Sequence, residues 1–283
     1  MKRLVILLLV IILSGCERQA PHEGLLIAVS IPPQAWFVSQ IAGDKAATVI
    51  LVPPGQNPHN YEPTPRQIQS LASANAWILS GSEFEISLRP KIEALFPDLK
   101  IINGTKGVQL RMSKDHEHCD CDSYDRHTWL GMEPAIKLTN HIYDILSLLD
   151  AENELFFHEQ KVNLISEIED TFDELRDILA PLQGKSVFVY HPSFGYFLDE
   201  FGINQEAVET GGKEPTPRQL SLLVDKMKDE QPAAIFVQTQ FPVNAARTIA
   251  DTIGAQVVEL DPLAEDWLEN IRLIGYSLQR AVP

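Results

Sequence analysis

Residues 152–182 read ENELFFHEQKVNLISEIEDTFDELRDILAPL, and no glycine or proline interrupts them before Pro181. Leu155, Val162, Ile165, Ile168, Phe172, Leu175 and Leu179 recur at spacings of three, four and seven, the period of one helix face. At ~1.5 Å per residue such a helix reaches roughly 45 Å, longer than a small domain is wide. A rod of that length constrains everything else. The chain must fold as bodies on either side of it, with residues 151–183 as a rigid spine between them.

On both sides of this spine, strands alternate with helices. Before it come the strand LLIAVS (25–30), the helix-like QAWFVSQIAG, the strand ATVILV and the proline-rich PPGQNPHNYEP. A helix from Pro65, the strand AWILSG (76–81), an amphipathic helix, the strand LKIING (99–104) and a helix over 133–149 follow. After Gly184 come KSVFVY, the helix-like FGYFLDEFG, a helix, AAIFVQ, a helix, AQVVEL and a last helix. This alternation predicts an α/β protein of two lobes, each with a central mostly parallel sheet flanked by helices. The N-terminal lobe is expected over 25–150 and the C-terminal lobe over 184–283. VSIPPQAWFVSQIAG (29–43) and VYHPSFGYFLDEFG (189–202) both run strand, proline, aromatic-rich helix, glycine, so the lobes are expected to share a topology.

The hexapeptide EPTPRQ occurs at 62–67 and again at 214–219. Thr64 or Thr216 at the N-cap, proline at N1 and Gln67 or Gln219 at N3 make a capping box. The repeat therefore marks a helix start in each lobe, and carries no chemistry by itself. Cys16, Cys119 and Cys121 are too few for a disulfide framework, so a core must hold the fold, and 45% hydrophobic residues can supply one. The net charge of −16 argues against nucleic acid, whose phosphates need clustered Lys and Arg; an acidic exterior is compatible with attracting cations.

Ligands of doubly wound folds bind beyond the carboxyl ends of strands. His191 follows a strand directly, in VFVYHPSFGYF, and Asp261 does the same in VVELDPL. His59 lies in the loop GQNPHNYEPTPR before the capped helix, and His127 in YDRHTWLGMEP. Two candidates from each lobe would line a cleft with three imidazoles and a carboxylate. Each taken alone also reads as an ordinary loop residue.

NPHNYEPTPRQ, DRHTWL, YHPSFGYFLDEFGI, KEPTPRQL and ELDPL together resemble the cluster 9 substrate-binding proteins of bacterial ABC importers for zinc and manganese. The resemblance covers nearly the whole chain after the leader. It implies two α/β lobes joined by one long helix, one metal ion between them, and His59, His127, His191 and Asp261 as its ligands. It also implies an ABC permease and its ATPase as partners, and a binding protein rather than an enzyme. Asn57 and the Gly131-Met132 pair depart from the family's usual wording beside the ligands, not at them. Three imidazoles and a carboxylate suit four-coordinate zinc, whereas manganese prefers more oxygen donors. Zinc is therefore the expected cargo and manganese the alternative. A manganese or iron receptor and an adhesin of the same family remain rival readings. A secreted zinc hydrolase is a further one, although no H-E-x-x-H motif is present. The stiff spine predicts small lobe shifts rather than a wide clamshell closure, in a chain expected to be monomeric.

Two further segments carry expectations. Lys2 and Arg3 precede an apolar run over 4–13 that is too short to span a bilayer and has the form of a secretory signal. It ends in Leu13-Ser14-Gly15-Cys16, which resembles the lipobox of bacterial lipoproteins. This implies removal of residues 1–15, a lipid on Cys16, a tether over 16–24, and an exported protein anchored to the membrane, facing the periplasm or the cell exterior. The stretch KDHEHCDCDSYDRH places His116, His118, Cys119 and Cys121 among acidic residues. It occupies the position of the family's histidine-rich loop and reads either as an auxiliary metal-capture loop or as a solvated acidic loop with a C-x-C disulfide.

Overall fold

The computed structural model describes residues 24–112, 124–209, 216–241 and 243–281. The expected leader, the expected lipidation site Cys16 and most of the expected tether lie outside these residues, as do His116, His118, Cys119 and Cys121. The first lobe runs β1 (Leu25–Val29), α1 (Pro32–Ala42), β2 (Ala46–Ile50), α2 (Pro65–Leu71), β3 (Ala76–Leu79), α3 (Glu83–Leu95), β4 (Lys100–Asn103) and α4 (Met132–Leu149). The spine is α5 (Glu154–Leu179), with a 3-10 turn at each end. The second lobe runs β5 (Ser186–Val189), α6 (Gly195–Asp199), β6 (Asn204–Ala207), α7 (Pro217–Glu230), β7 (Ala234–Gln238), α8 (Val243–Ile253), β8 (Gln256–Leu260) and α9 (Trp267–Arg280).

Both sheets are four-stranded and wholly parallel, in the orders β2-β1-β3-β4 and β6-β5-β7-β8. The shared topology expected from the matched segments is thus present. The sequence reading did not include β6, whose residues NQEA lack apolar alternation; it pairs in register with β5 from Ser186↔Asn204 to Val189↔Ala207. In each sheet the order reverses at the first strand of the lobe, β1 or β5, which places a topological switch point at its carboxyl end.

Side-chain alternation divides the second sheet between two cores. Val187, Val189, Ala234 and Phe236 face the large core shared with the spine. Phe188, Tyr190, Ile235 and Val237 face a smaller cluster built with Met227, Ala246 and Ile249. The spine buries Phe157, Leu164, Ile168, Phe172, Leu175 and Leu179. Leu155 and Val162, expected on that stripe, are 86% and 49% exposed. They sit two residues from Phe157 and Leu164, about 200° around a helix of ~3.6 residues per turn. The buried stripe from Phe157 onward keeps one continuous helical period; of the residues expected on it, Leu155 and Val162 are exposed and Ile165 is only half-buried.

The chain end returns across the molecule. Helix α9 packs on α5 and α1. Trp267 is fully buried there, with its ring centroid 4.9 Å from Phe37 and 5.8 Å from Trp36. Gly275 makes the close approach to α5 possible, since a Cβ at that position would lie 2.4 Å from Leu175 Cδ2.

Both capping boxes form. Thr64 N donates to Gln67 Oε1 at 2.8 Å and Gln67 N to Thr64 Oγ1 at 3.4 Å; Thr216 and Gln219 do the same at 2.9 and 3.4 Å. Gln67 also donates to Leu51 O at 2.6 Å. The first copy therefore clasps both ends of the loop that carries His59.

Candidate metal centre

His59 rides the loop between β2 and α2. Its backbone N donates to Asn57 Oδ1 at 2.9 Å, closing a local turn that sets the direction of the side chain. His127 sits at the N-cap of a 3-10 turn over Thr128–Leu130. His191 lies two residues beyond β5. Gln238, the last residue of β7, brackets its backbone: Gln238 Oε1 accepts from His191 N at 3.1 Å, and Nε2 donates to His191 O at 2.5 Å. Phe241 stacks on the His191 ring at 4.6 Å and 19°.

Residues 132 positions apart in sequence meet here. The Nε2 atoms of the three histidines stand 3.0 Å (His59–His191), 3.1 Å (His59–His127) and 3.2 Å (His127–His191) apart. Each ring turns its other nitrogen to a carboxylate. His59 Nδ1 donates to Glu83 Oε2 at 2.9 Å, His127 Nδ1 to Asp125 Oδ1 at 2.8 Å, and His191 Nδ1 to Glu209 Oε2 at 2.6 Å. An ionised carboxylate only accepts, so each Nδ1 donates, and a ring carrying that proton alone points its Nε2 lone pair at the other two. Three converging lone pairs repel one another unless a cation lies between them. A triangle with these edges has a radius of about 1.8 Å, shorter than a zinc–imidazole bond of ~2.0–2.1 Å. An ion bound to all three would therefore stand about 1 Å off the plane of the nitrogens.

Burial grades across the site. The His127 and His191 side chains are 9% and 8% exposed, and their carboxylates Asp125 and Glu209 4% and 9%. His59 and Glu83 are 28% and 41% exposed and form the solvent edge. For Asp125, burial alone would raise the carboxyl, but His127 and Arg111 outweigh it and hold it below its usual range. Glu83 is lowered in the same way, with His59 overcoming the burial. Burial pushes His191 down to about 4; the neighbouring histidines add to this and the Glu209 hydrogen bond opposes it. His191 is thus neutral, and ready to ligate, throughout the physiological range.

The depressed His191 has a stability consequence. Its unfolded form binds a proton near pH 6.5 and its folded form only near 4, so between those values the unfolded chain holds more protons. The metal-free fold is expected to lose up to roughly 3 kcal/mol as pH falls from 6.5 toward 4, with no contribution from this group above neutrality. Thermal unfolding of the apoprotein across that range checks it, and His191→Gln should flatten that part of the profile.

Asp261, the fourth candidate, does not join the group formed by His59, His127 and His191. Its Oδ1 accepts from Gln240 Nε2 at 2.6 Å and from Leu263 N at 2.9 Å, and its carbonyl accepts from Asn270. The sequence reading missed the three carboxylates. Only Asp125, two residues before His127, left a visible signal, since the same Oδ1 that meets the ring also accepts from His127 N at 2.9 Å.

The sequence model of a family described as "Zinc-uptake complex component A periplasmic" matches residues 27–280. "Zinc-binding lipoprotein AdcA" of Streptococcus pneumoniae is 26% identical over 263 residues, covering 89% of this chain; the chain spans about half of that relative, 52% of its length. "High-affinity zinc uptake system protein ZnuA" of Bacillus subtilis is 25% identical over 264 residues, covering 88% of this chain and 82% of the relative. Among solved structures, one titled "Crystal structure of ZnuA" superposes with a TM-score of 0.86 at 33% identity, over 92% of this chain and all of that one.

Proposed function

The chain belongs to the ZnuA family of periplasmic zinc-uptake components, and from that premise we propose that it binds one zinc ion through His59, His127 and His191 and delivers it to an ABC permease for import. The single observation that carries this reading is the convergence of three Nε2 atoms within 3.2 Å of one another, each ring oriented by its own carboxylate. Such carboxylate–histidine pairs fix the tautomer and raise the basicity of a metal-bound imidazole. The family is one of metal-uptake binding components, not enzymes.

An all-imidazole trio favours zinc over manganese, which prefers oxygen ligands. Asp261 would complete the shell as a fourth ligand by exchanging its bonds to Gln240 and Leu263 for the metal. The two lobes, 25–150 and 184–283, supply the site from both sides of the spine at 151–183. No helix among the described residues is long and apolar enough to cross a membrane. In our reading a lipid on Cys16 holds the exported, monomeric chain to the membrane beside its permease and ATPase. His116, His118, Cys119 and Cys121 then serve as a weaker capture loop.

Metal analysis of the purified chain tests the reading. One zinc per wild-type molecule and little in His59→Ala are expected. In competition titrations, manganese binding equal to or tighter than zinc would reject zinc as the cargo.

A further inference from the structure

Arg111 stands where both lobes meet the metal site. Its Nε and Nη2 donate to Asp199 Oδ2 and Oδ1 at 2.6 and 3.1 Å, a two-pronged grip on the last residue of α6. Its Nη1 donates to Asp125 Oδ2 at 2.9 Å. The backbone joins the same cluster: Arg111 N donates to the Tyr196 hydroxyl at 2.9 Å, that hydroxyl donates to Asp125 O at 2.8 Å, and Asp125 N donates to Arg111 O at 2.9 Å. Asp125 is thus divided, with one carboxylate oxygen on the guanidinium and the other on the ring and backbone of His127. Space for the guanidinium depends on Gly195, where an added Cβ would lie 1.8 Å from Arg111 Nη1 and 2.7 Å from Asp125 Oδ2.

We propose that Arg111 is a positioning residue of the metal site, fixing His127 through Asp125 and tying it to α6 in the lobe that carries His191. The inference rests on the reading of His59, His127 and His191 as ligands. Planarity matters here: a guanidinium presents a rigid fork that engages two carboxylates at once, and lysine, a single point donor, cannot hold both. Carboxylate partners of metal-bound histidines contribute ~10–100-fold to affinity, and a residue that holds such a carboxylate acts one step further out.

The test uses the full chain, zinc in competition with a chelator, and cobalt(II) as a spectroscopic probe. Arg111→Lys is expected to weaken zinc binding roughly tenfold, to speed zinc loss to the chelator, and to alter the visible bands of the cobalt protein. Gly195→Ala should shift all three readouts in the same direction while removing no charge, because the methyl displaces the guanidinium. Asp199→Asn provides the same test from the other lobe, should the lysine variant fold poorly. Arg89→Ala, which removes an exposed pair with Glu93, should leave all three unchanged. If Arg111→Lys and Gly195→Ala lower the unfolding temperature yet keep affinity, release rate and cobalt spectrum within about twofold of wild type, Arg111 only holds the fold and the proposal is overturned. A wild-type chain that binds neither metal would instead overturn the functional reading beneath it.

Discussion

Replacing His191 with alanine is expected to weaken zinc binding by about a hundred- to a thousandfold. Apparent binding energies of four-ligand zinc sites run to roughly 10–16 kcal/mol, so one ligand of four carries about 3–4 kcal/mol. The loss should be at least as large here, since the alanine variant also leaves the Glu209 carboxylate 9% exposed and without its imidazole. Glu209→Gln isolates that second contribution: the ring stays, its proton partner is weakened, and affinity should fall about 10–100-fold. Chelator competition measures both. A His191→Ala protein that binds zinc within about tenfold of wild type would remove His191 from the site.

The second large effect concerns the frame. Trp267→Ala is expected to destabilise the fold by about 3–5 kcal/mol, the range for deleting a large buried aromatic. Trp267 is fully buried among Trp36, Phe37 and Phe172, and its Nε1 donates to Trp129 O at 2.6 Å. Truncation leaves a cavity and an unpaired carbonyl together. For a chain of this size the unfolding temperature should drop by roughly 10 °C. Because that lost bond ends on Trp129, two residues after His127, the segment just after this histidine loses a brace as well. A loss below about 1 kcal/mol in denaturant titration would show that α9 is not part of the core.

The three histidines were legible in the sequence because His191 follows a strand directly and His59 and His127 sit on loops, each close to proline or aromatic residues. Their carboxylates were not. Glu83 and Glu209 lie 24 and 18 positions from the histidines they orient, in elements whose proximity only the fold creates. Glu209 follows β6, an edge strand too short and polar to declare itself. Asp261 shows the converse: its place after β8 is as foreseen, but Gln240 and Leu263 satisfy its carboxylate locally. The capping boxes were readable to the residue because every interaction in them is within three positions. The spine's length was readable from the absence of glycine and proline. Its buried face at Phe157 was not, because at that end apolar residues occur on both sides of the helix.

The return of α9 across α5 and α1 has a kinetic meaning. The second lobe is joined to the first by the spine and again by the chain's last helix, so the two bodies are fastened by two separate struts. On the proposed reading, such a frame is expected to exchange cargo through small lobe shifts rather than a wide opening, with His59, the most exposed of the three histidines, as the first ligand to let go.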